Sequence, residues 1–372
     1  MPAVTTAHCG ASERGRGPRL LAGAQRRLTW AMPAAYVAAA LLPQPGRWAR
    51  GLPCGALPLP GGHTALTPQA LLLCYVLFTA ALQVPARELS VLLRRPGLLL
   101  AGTAANTALP LLVLVLLAGA FTLLPDADRG SGLLTGLALI AAMPVAGGAT
   151  VWGGRAGGNQ TLVVGLVLAS TLLSPLTIPL TLAGAAAVTC GGYALALGRL
   201  AHLAGGAVAA AGVVAPCLAG LAVRAVLPAR TAARALPWLK LLALAAALAL
   251  TYLNAAGAFT DLIARPRPAL LLLSTAAAAV MCAASFALGW CLARALKAAP
   301  ADTVALTFTS GMNNSSAGAV LATTRFPAHP HVLLPILAYS VLQKLLAGLA
   351  DGALSGRPGR RRGGGGGAAV RR

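Results

Sequence analysis

Two neighbouring asparagines, Asn313 and Asn314, lie inside an apolar stretch that is long enough to cross a lipid bilayer. An amide surrounded by hydrocarbon needs hydrogen-bond partners, so polar side chains at this depth usually face a cavity, an ion or a substrate. Thr309 and Ser310 precede them, and Gly311 loosens the helix beside them. This pattern indicates recognition of a solute within the membrane.

A second apolar stretch is interrupted by Pro144, Gly147, Gly148 and Thr150. Proline removes a backbone donor and glycine weakens the helix, so backbone polar groups become free at membrane depth. Lipid cannot satisfy these groups, and protein, water, an ion or a substrate must do so. The two interrupted stretches together predict one binding site built from two broken helices.

Lys344 lies near the middle of the last apolar stretch, where an ammonium costs about 2.5–3.5 kcal/mol on insertion scales. A lysine there can neutralise an anionic substrate, whereas a lysine on the lipid-facing side would extend its head group towards water. We predict that the substrate site contains Asn106, Pro144, Gly147, Gly148, Thr150, Asn313, Asn314 and Lys344.

The composition identifies the solvent of most of the chain as lipid. Of 372 residues, 58% are hydrophobic and 10% are charged, and the mean hydropathy is +0.78, whereas about 25% of residues in soluble domains are charged. The net charge of +22 does not indicate a nucleic-acid partner, because the positive residues form short runs between apolar stretches. The seven cysteines show no CxxC spacing, so no metal site is expected.

Apolar windows predict an all-α membrane protein with about ten transmembrane helices, since each span needs about 20 mostly apolar residues. Most of the 29 Lys and Arg residues fall on the side that also receives both termini, which predicts cytoplasmic termini in a multi-pass protein of the plasma or inner membrane. The windows are residues 28–43, 66–84, 97–120, 131–152, 160–186, 203–227, 236–256, 268–293, 301–323 and 333–352.

The two interruptions occupy equivalent places, the fourth helix of each half of the chain. Matching breaks of this kind are typical of transporters built from inverted repeats with a site near the midplane of the membrane. The predicted organisation is a basic cytoplasmic segment at 1–27, a first repeat at 28–187, a second repeat at 200–354 and a disordered Gly/Arg-rich tail at 355–372.

Three stretches of the sequence resemble the bile acid:sodium symporter family. They are Arg94-Arg95-Pro96 with Asn106, the segment from Pro144 to Pro179 that contains Ser170-Thr171-Leu172-Leu173-Ser174-Pro175, and Gly311-Met312-Asn313-Asn314-Ser315. The resemblance implies two inverted repeats whose broken fourth and ninth helices cross in a core domain. That domain would move against a panel domain and carry a small organic anion together with sodium.

The resemblance also implies a sodium site, formed by Thr150, Thr309, Ser310, Met312 and Asn313. Thr309 stands where sodium-binding members of the family have a carboxylate, and Val163 and Val167 align with expected hydroxyl ligands. Sodium requires oxygen ligands, so the predicted sodium coupling is weakened. We therefore predict no resident cofactor beyond a possible coupling sodium ion, and hypothesise that Lys344 replaces this ion.

Several other functions remain open from the sequence alone. An enzyme is not expected, because the apolar stretches contain no converging set of catalytic titratable residues. A channel would show a charged ring or a pore-lining stripe, and neither is visible. A sodium-independent or proton-coupled carrier or exporter, an auxin-carrier-like or arsenite-exporter-like transporter and a non-transporting membrane sensor are the alternatives.

Overall fold

The computed structural model describes residues 16–59, 62–83, 96–123, 130–204, 214–264 and 267–355. These residues form helices, apart from one β-hairpin and short connections. The elements before the middle of the chain are α1 (Arg16–Leu41), α2 (Pro43–Arg50), β1 (Ala56–Leu59), β2 (Gly62–Ala65), α3 (Pro68–Leu82), α4 (Pro96–Phe121), α5 (Ser131–Ala141), α6 (Gly148–Arg155), α7 (Gln160–Leu172), α8 (Ser174–Val188) and α9 (Gly191–Ala204).

The remaining part of the chain contains six helices among the described residues. A short 3₁₀ turn at Pro330–Val332 leads into the last of them. The helices are α10 (Ala215–Val226), α11 (Ala229–Ala264), α12 (Pro268–Ala295), α13 (Pro300–Gly311), α14 (Ser315–Arg325) and α15 (Leu333–Ser355).

Four stretches of the described helices are long and apolar enough to cross a membrane: Pro96–Phe121, Arg230–Ala256, Pro268–Ala295 and Pro330–Leu354. The pair α7 and α8 passes the same criterion as a fifth, with a bend of 71° between its two helices. Helices α3, α5 and α10 are apolar but shorter. The structure therefore confirms a predominantly helical chain with several candidate spans.

Local sequence explains where several of these helices begin. Proline occupies the first turn of α3, α12 and α13, where its missing N–H would have no helical partner. Thr67 caps α3 by accepting a hydrogen bond from the Ala70 N–H at 3.2 Å. Asn159 caps α7 by accepting from the Leu162 N–H at 3.2 Å, so the apolar stretches fold as helices with defined starts.

The first helix and the connection that follows it differ from the sequence-based expectation. Helix α1 begins at Arg16, inside the segment 1–27 that was expected to precede the membrane region. The search for long apolar windows did not predict α2 or the hairpin. In the hairpin, β1 and β2 are antiparallel, and the paired residues are Ala56 with Ala65, Leu57 with Thr64, Pro58 with His63 and Leu59 with Gly62. The Gly/Arg-rich tail was expected at 355–372, and all of it after Ser355 lies outside the described residues.

Apart from α2 and α9, the described helices form two groups. One group contains α1, α3, α10 and α11, in which α11 packs on α1 and α3, and α3 packs on α10. The other contains α4 to α8 and α12 to α15, with α12 packed against α4, α13 and α15. Every residue of α5 is buried, so this helix lies at the centre of the second group.

Close helix contacts depend on glycine at particular positions. A Cβ atom at Gly136 of α5 would collide with the carbonyl oxygen of Val332, and one at Gly220 of α10 would collide with the carbonyl oxygen of Phe78. Backbone cannot yield as a flexible side chain would, so a larger residue would force these elements apart. Small residues thus set the helix spacing, as they do in membrane bundles generally.

Candidate functional site

The two interruptions in the helices meet in space. Residues 142–147 connect α5 to α6, residues 312–314 connect α13 to α14, and Val145 pairs with Asn313 in an antiparallel bridge. The Ala146 N–H donates to the Met312 carbonyl at 2.8 Å, and the Asn314 N–H donates to the Pro144 carbonyl at 2.9 Å. We call this arrangement the crossing. Each interruption satisfies backbone groups of the other, which lipid could not do.

The two adjacent asparagines of the crossing have different roles. Asn313 is fully buried, and its Nδ2 donates to the Ile140 carbonyl near the end of α5 at 3.2 Å. Its Oδ1 is buried without a protein partner. Asn314 instead caps α14, since its Oδ1 accepts from the Ala317 N–H at 3.2 Å. Asn313 therefore retains an unused acceptor, whereas Asn314 uses its acceptor to begin a helix.

Asn106 approaches the crossing from α4. Its Nδ2 lies 3.5 Å from the Met143 carbonyl, and its Oδ1 is a second buried acceptor without a protein partner. Ser170 of α7 completes this side, because its hydroxyl accepts from the Val145 N–H at 3.1 Å and donates to the Val167 carbonyl at 3.1 Å. Helices α4 and α7 thus both contact the crossing, and the amide oxygens of Asn106 and Asn313 remain buried beside it without protein partners.

The interruption after α5 is more open than the one after α13. Pro144 is buried, whereas Gly147 is exposed and Gly148 is half-buried. No side chain caps the N-terminus of α6, and the Thr150 hydroxyl donates to the Gly147 carbonyl at 2.7 Å. A Cβ atom at Gly147 would meet nothing within 4 Å. This backbone is accessible to a ligand and lies at the positive end of a helix.

The amino-acid sequence matches the Sodium Bile acid symporter family over residues 70–265, which is more than half of the chain. The chain belongs to this family. Uncharacterized protein YbaS of Bacillus subtilis (strain 168) is 30% identical over 223 residues, which is 58% of this chain and 67% of the relative. The resemblance read from the sequence is confirmed, and membrane transport is the activity of the family.

The family's sodium-site positions are partly occupied by groups that already have partners. The Thr309 hydroxyl donates to the Ala305 carbonyl at 2.8 Å, and the Met312 carbonyl accepts from the chain of the other interruption. The Ser310 hydroxyl is buried without a partner. Val163 and Val167 are buried apolar residues at positions where the resemblance implies hydroxyls. The oxygen set at the crossing is therefore small.

The described carboxylates with described side chains lie away from this set, at helix ends. Asp302, in the first turn of α13, accepts from the Nδ2 of Asn159 at 2.7 Å. Asp351, near the end of α15, pairs with Arg155 of α6 at 3.4 Å. Both interactions connect ends of helices within the second group. A negative charge that would attract sodium is therefore not supplied at the crossing by the side chains that the structure describes.

Lys344 lies on α15, half-buried, and its Nζ donates to the Ser340 carbonyl one turn earlier at 2.7 Å. The Ser340 hydroxyl contacts the Tyr36 hydroxyl of α1, in the other group of helices. The neighbouring Gln343 donates through Nε2 to the Ser315 hydroxyl at the start of α14 at 3.1 Å. The structure thus places Lys344 on the helix whose Gln343 contacts α14 and whose Ser340 contacts the other group, with its Nζ bonded to its own helix.

Several polar residues at this site were not predicted from the sequence. Tyr339 is buried, and its hydroxyl donates to the Gly311 carbonyl at 3.1 Å, where α13 ends. Asn254 of α11 has a buried Oδ1 without a partner and lines a small cleft between the groups with Tyr36 and Ser315. Tyr339 and Gln343 lie one turn apart on an apolar helix, and this spacing was the sequence signal that could have identified them as residues of the site.

Proposed function

We propose that the protein is a secondary carrier that moves a small organic anion across the plasma or inner membrane. The observation that carries this proposal is the crossing, where two interrupted helices bond to each other and leave the acceptor oxygens of Asn106 and Asn313 buried without protein partners. Unpaired buried acceptors are costly, and a bound solute with hydroxyl or N–H groups would satisfy them. Family membership supports the same activity.

The anionic group of the substrate would bind where positive potential is available. The N-terminus of α6 offers partial positive charge and exposed glycine backbone at Gly147. Lys344 of α15 would add a full positive charge, since its Nζ is bonded only to a neutral carbonyl of its own helix in the contact that the structure shows. A solute would use both the positive charges and the unpaired amide oxygen if its carboxylate or sulfonate lay between α6 and Lys344 and its hydroxyl lay at Asn313.

The fold proposed for this activity is an inverted repeat with about ten spans and both termini in the cytoplasm. The first repeat would contain α1, α3, α4, α5–α6 and α7–α8, and the second would contain α10, α11, α12, α13–α14 and α15. Helix pairs interrupted at equivalent places in both halves support this assignment. Movement of the α4–α8 and α12–α15 group against the other group would then expose the crossing to each side in turn.

The coupling of transport to an ion is the second part of the proposal. Lys344 supplies a fixed positive charge, so the carrier functions without sodium. The Thr309 hydroxyl is already bonded to the Ala305 carbonyl, and Val163 and Val167 are buried apolar residues. The resemblance implies a carboxylate at the first of these positions and hydroxyl ligands at the other two, which supports this part of the proposal. A fixed cation near an anionic substrate reduces the need for a bound cation, because both neutralise the same charge.

Uptake into proteoliposomes under separately imposed sodium and proton gradients tests the coupling. The wild type should take up radiolabelled organic anions without sodium, and Lys344→Ala should lose uptake by about tenfold or more, since one charge-assisted contact is worth about 1.5–3 kcal/mol. Lys240→Ala, which removes a helical lysine of α11, is the control and should retain activity. Strict sodium dependence of the wild type, or full activity of Lys344→Ala, would contradict this part of the proposal.

A further inference from the structure

A cleft of about 440 Å³ opens between α2, the start of α3 and the chain that joins α14 to α15. Its lining includes Arg47 and Arg50 from α2, Gln69 from α3, and Phe326, Pro327 and Leu333 from the chain that follows α14. With both termini in the cytoplasm, as proposed above, this cleft lies at the outer end of the bundle. It is separate from the crossing, whose residues do not line it.

One wall of the cleft is an addition to the first half of the chain. The connection from α1 to α3 contains α2 and the hairpin, whereas residues 227–228 alone connect α10 to α11 at the equivalent place in the second half. Helix packing therefore does not require such a long connection.

Helix α2 is firmly attached to the rest of the fold. The Tyr252 hydroxyl of α11 donates to the Leu42 carbonyl at 2.6 Å, immediately before α2. Gly46 is buried against Ala256 and Tyr252, so no larger residue would fit there. This attachment fixes the helix that carries Arg47 and Arg50, which are one turn apart on the same face. The two guanidinium groups are thus presented to the cleft together.

Gln69 provides an independent indication of a ligand. It lines the cleft although only 5% of its surface is exposed, and its Oε1 is buried without a protein partner. Buried side-chain oxygens are nearly always hydrogen-bonded, so an unpaired one calls for a donor from outside the chain. Gln69 lies two residues after the capping residue Thr67, within the first turn of α3, so the cap holds it at the start of that helix. The missing partner would be a hydroxyl or an N–H group.

The remaining wall is apolar, formed by Phe326, Pro327 and Leu333, of which Phe326 and Leu333 are almost completely buried. Among the residues that the structure describes, the lining contains two arginines and one histidine but no Asp or Glu. The cleft therefore combines positive charge, one unpaired acceptor and an apolar surface. Its volume falls in the range of sites for small organic ligands, about 300–1,000 Å³.

We propose that this cleft is a second binding site for an amphipathic organic anion that carries a hydroxyl or amide N–H group. Its carboxylate or sulfonate contacts Arg47 and Arg50, its donor group pairs with the Oε1 of Gln69, and its apolar body lies against Phe326 and Leu333. The substrate class is that of the proposed function, and the outer placement rests on the proposed topology. Occupation of this site would concentrate the anion at the outer opening before it reaches the crossing.

Equilibrium binding of radiolabelled taurocholate tests the site, because taurocholate has a sulfonate, an amide N–H, hydroxyls and an apolar ring system. The protein would be purified whole and placed in nanodiscs of neutral phosphatidylcholine. The double variant Asn313→Ala, Asn314→Ala, which alters the crossing, serves as the background so that the cleft is measured alone. Arg47 is exposed, so its replacement leaves the fold intact; thermal melting of each variant checks this.

In that background, Arg47→Gln and Gln69→Leu should each weaken taurocholate binding by about tenfold. Arg325→Gln removes an exposed arginine of α14 that does not line the cleft, and it should leave binding unchanged. Equal loss in Arg325→Gln, or unchanged binding in Arg47→Gln, would overturn the proposal. Loss of taurocholate binding when the protein is placed in nanodiscs rich in phosphatidylglycerol would also overturn it, because the cleft would then be assigned to a lipid headgroup.

Transport measured on the same proteins separates this site from the proposed function. Binding at the cleft in a wild-type protein that transports no organic anion would support the second site and reject the carrier. In a working carrier, Arg47→Gln should raise the concentration of taurocholate needed for half-maximal uptake by several-fold and leave the maximal rate unchanged. A fall in the maximal rate with no change in that concentration would overturn the assignment of the cleft as a binding site.

Discussion

The two interruptions of the crossing are built from different residues. The one between α5 and α6 uses proline and glycine, leaves Gly147 exposed and has no side-chain cap. The one between α13 and α14 uses Asn313 and Asn314, buries the first and caps the following helix with the second. The first interruption therefore offers backbone to a ligand, and the second supplies the Asn313 amide, which bonds to the end of α5 across the crossing.

Interruptions in the two halves of this membrane protein thus have different tasks. Backbone bonds between the interruptions, such as that from Ala146 to Met312, make each half dependent on the other. Gly147 can therefore be replaced with little effect on folding, whereas replacement of Asn313 should destabilise the protein. Substitutions on the two sides should then have different effects on transport and on stability.

The largest effect is expected from Asn313→Ala. The variant loses the Nδ2 donor to the Ile140 carbonyl and the unpaired Oδ1 that we assign to the substrate. We expect transport to fall by at least about tenfold and stability to fall by about 1–3 kcal/mol, because a buried carbonyl is left without its donor. Uptake by proteoliposomes and thermal melting measure the two losses. The control is Thr122→Ala, at an exposed position directly after α4 that does not line either cleft.

A variant at the other interruption should separate transport from stability. Gly147→Ala adds a methyl group where nothing lies within 4 Å and where the backbone φ of −57° suits any residue. The melting temperature should stay the same or rise slightly, since alanine restricts the unfolded chain. Transport should nevertheless weaken by several-fold if a substrate approaches this backbone. Unchanged transport would show that the ligand does not contact Gly147.

The smallest effect is expected from exchanging Asn314 for serine. Serine caps a helix about as well as asparagine does and adds no charge, so Asn314→Ser should retain the stability of α14. Asn314→Ala removes the acceptor for the Ala317 N–H and should cost about 1 kcal/mol. Denaturation of both variants measures this difference. An equal loss in the two would mean that Asn314 acts through its amide nitrogen and not as a cap.

The sequence predicted the parts of the site that depend on unusual residues within apolar stretches. Proline, glycine and paired asparagines in such stretches are conspicuous, and the structure brings Pro144 and Asn314 into direct contact. The resemblance to the family was confirmed by a match over residues 70–265, which include the first interruption. Whether the predicted residues bind substrate or ion remains a prediction that the variants above address.

Other features of the site could not be predicted, because they depend on contacts between distant segments. Tyr339 and Ser170 matter through bonds to Gly311 and Val145, and their own residue types do not distinguish them from ordinary helix residues. The helix α2 was missed because it is polar and short, and the apolar windows respond only to long hydrophobic runs. The hydrophobic pattern thus predicted where the long apolar helices lie in the sequence, but it did not predict which helices contact each other.

The central claim is that the crossing carries an organic anion through the membrane. Solute counterflow tests it most directly, since it requires only binding and reorientation and is independent of any coupling ion. Proteoliposomes loaded with unlabelled taurocholate would be diluted into labelled taurocholate, with wild type compared with the double variant Asn313→Ala, Asn314→Ala. We predict transient accumulation of label by the wild type and none by the double variant. Equal accumulation by both proteins would contradict the assignment of the crossing as the substrate site.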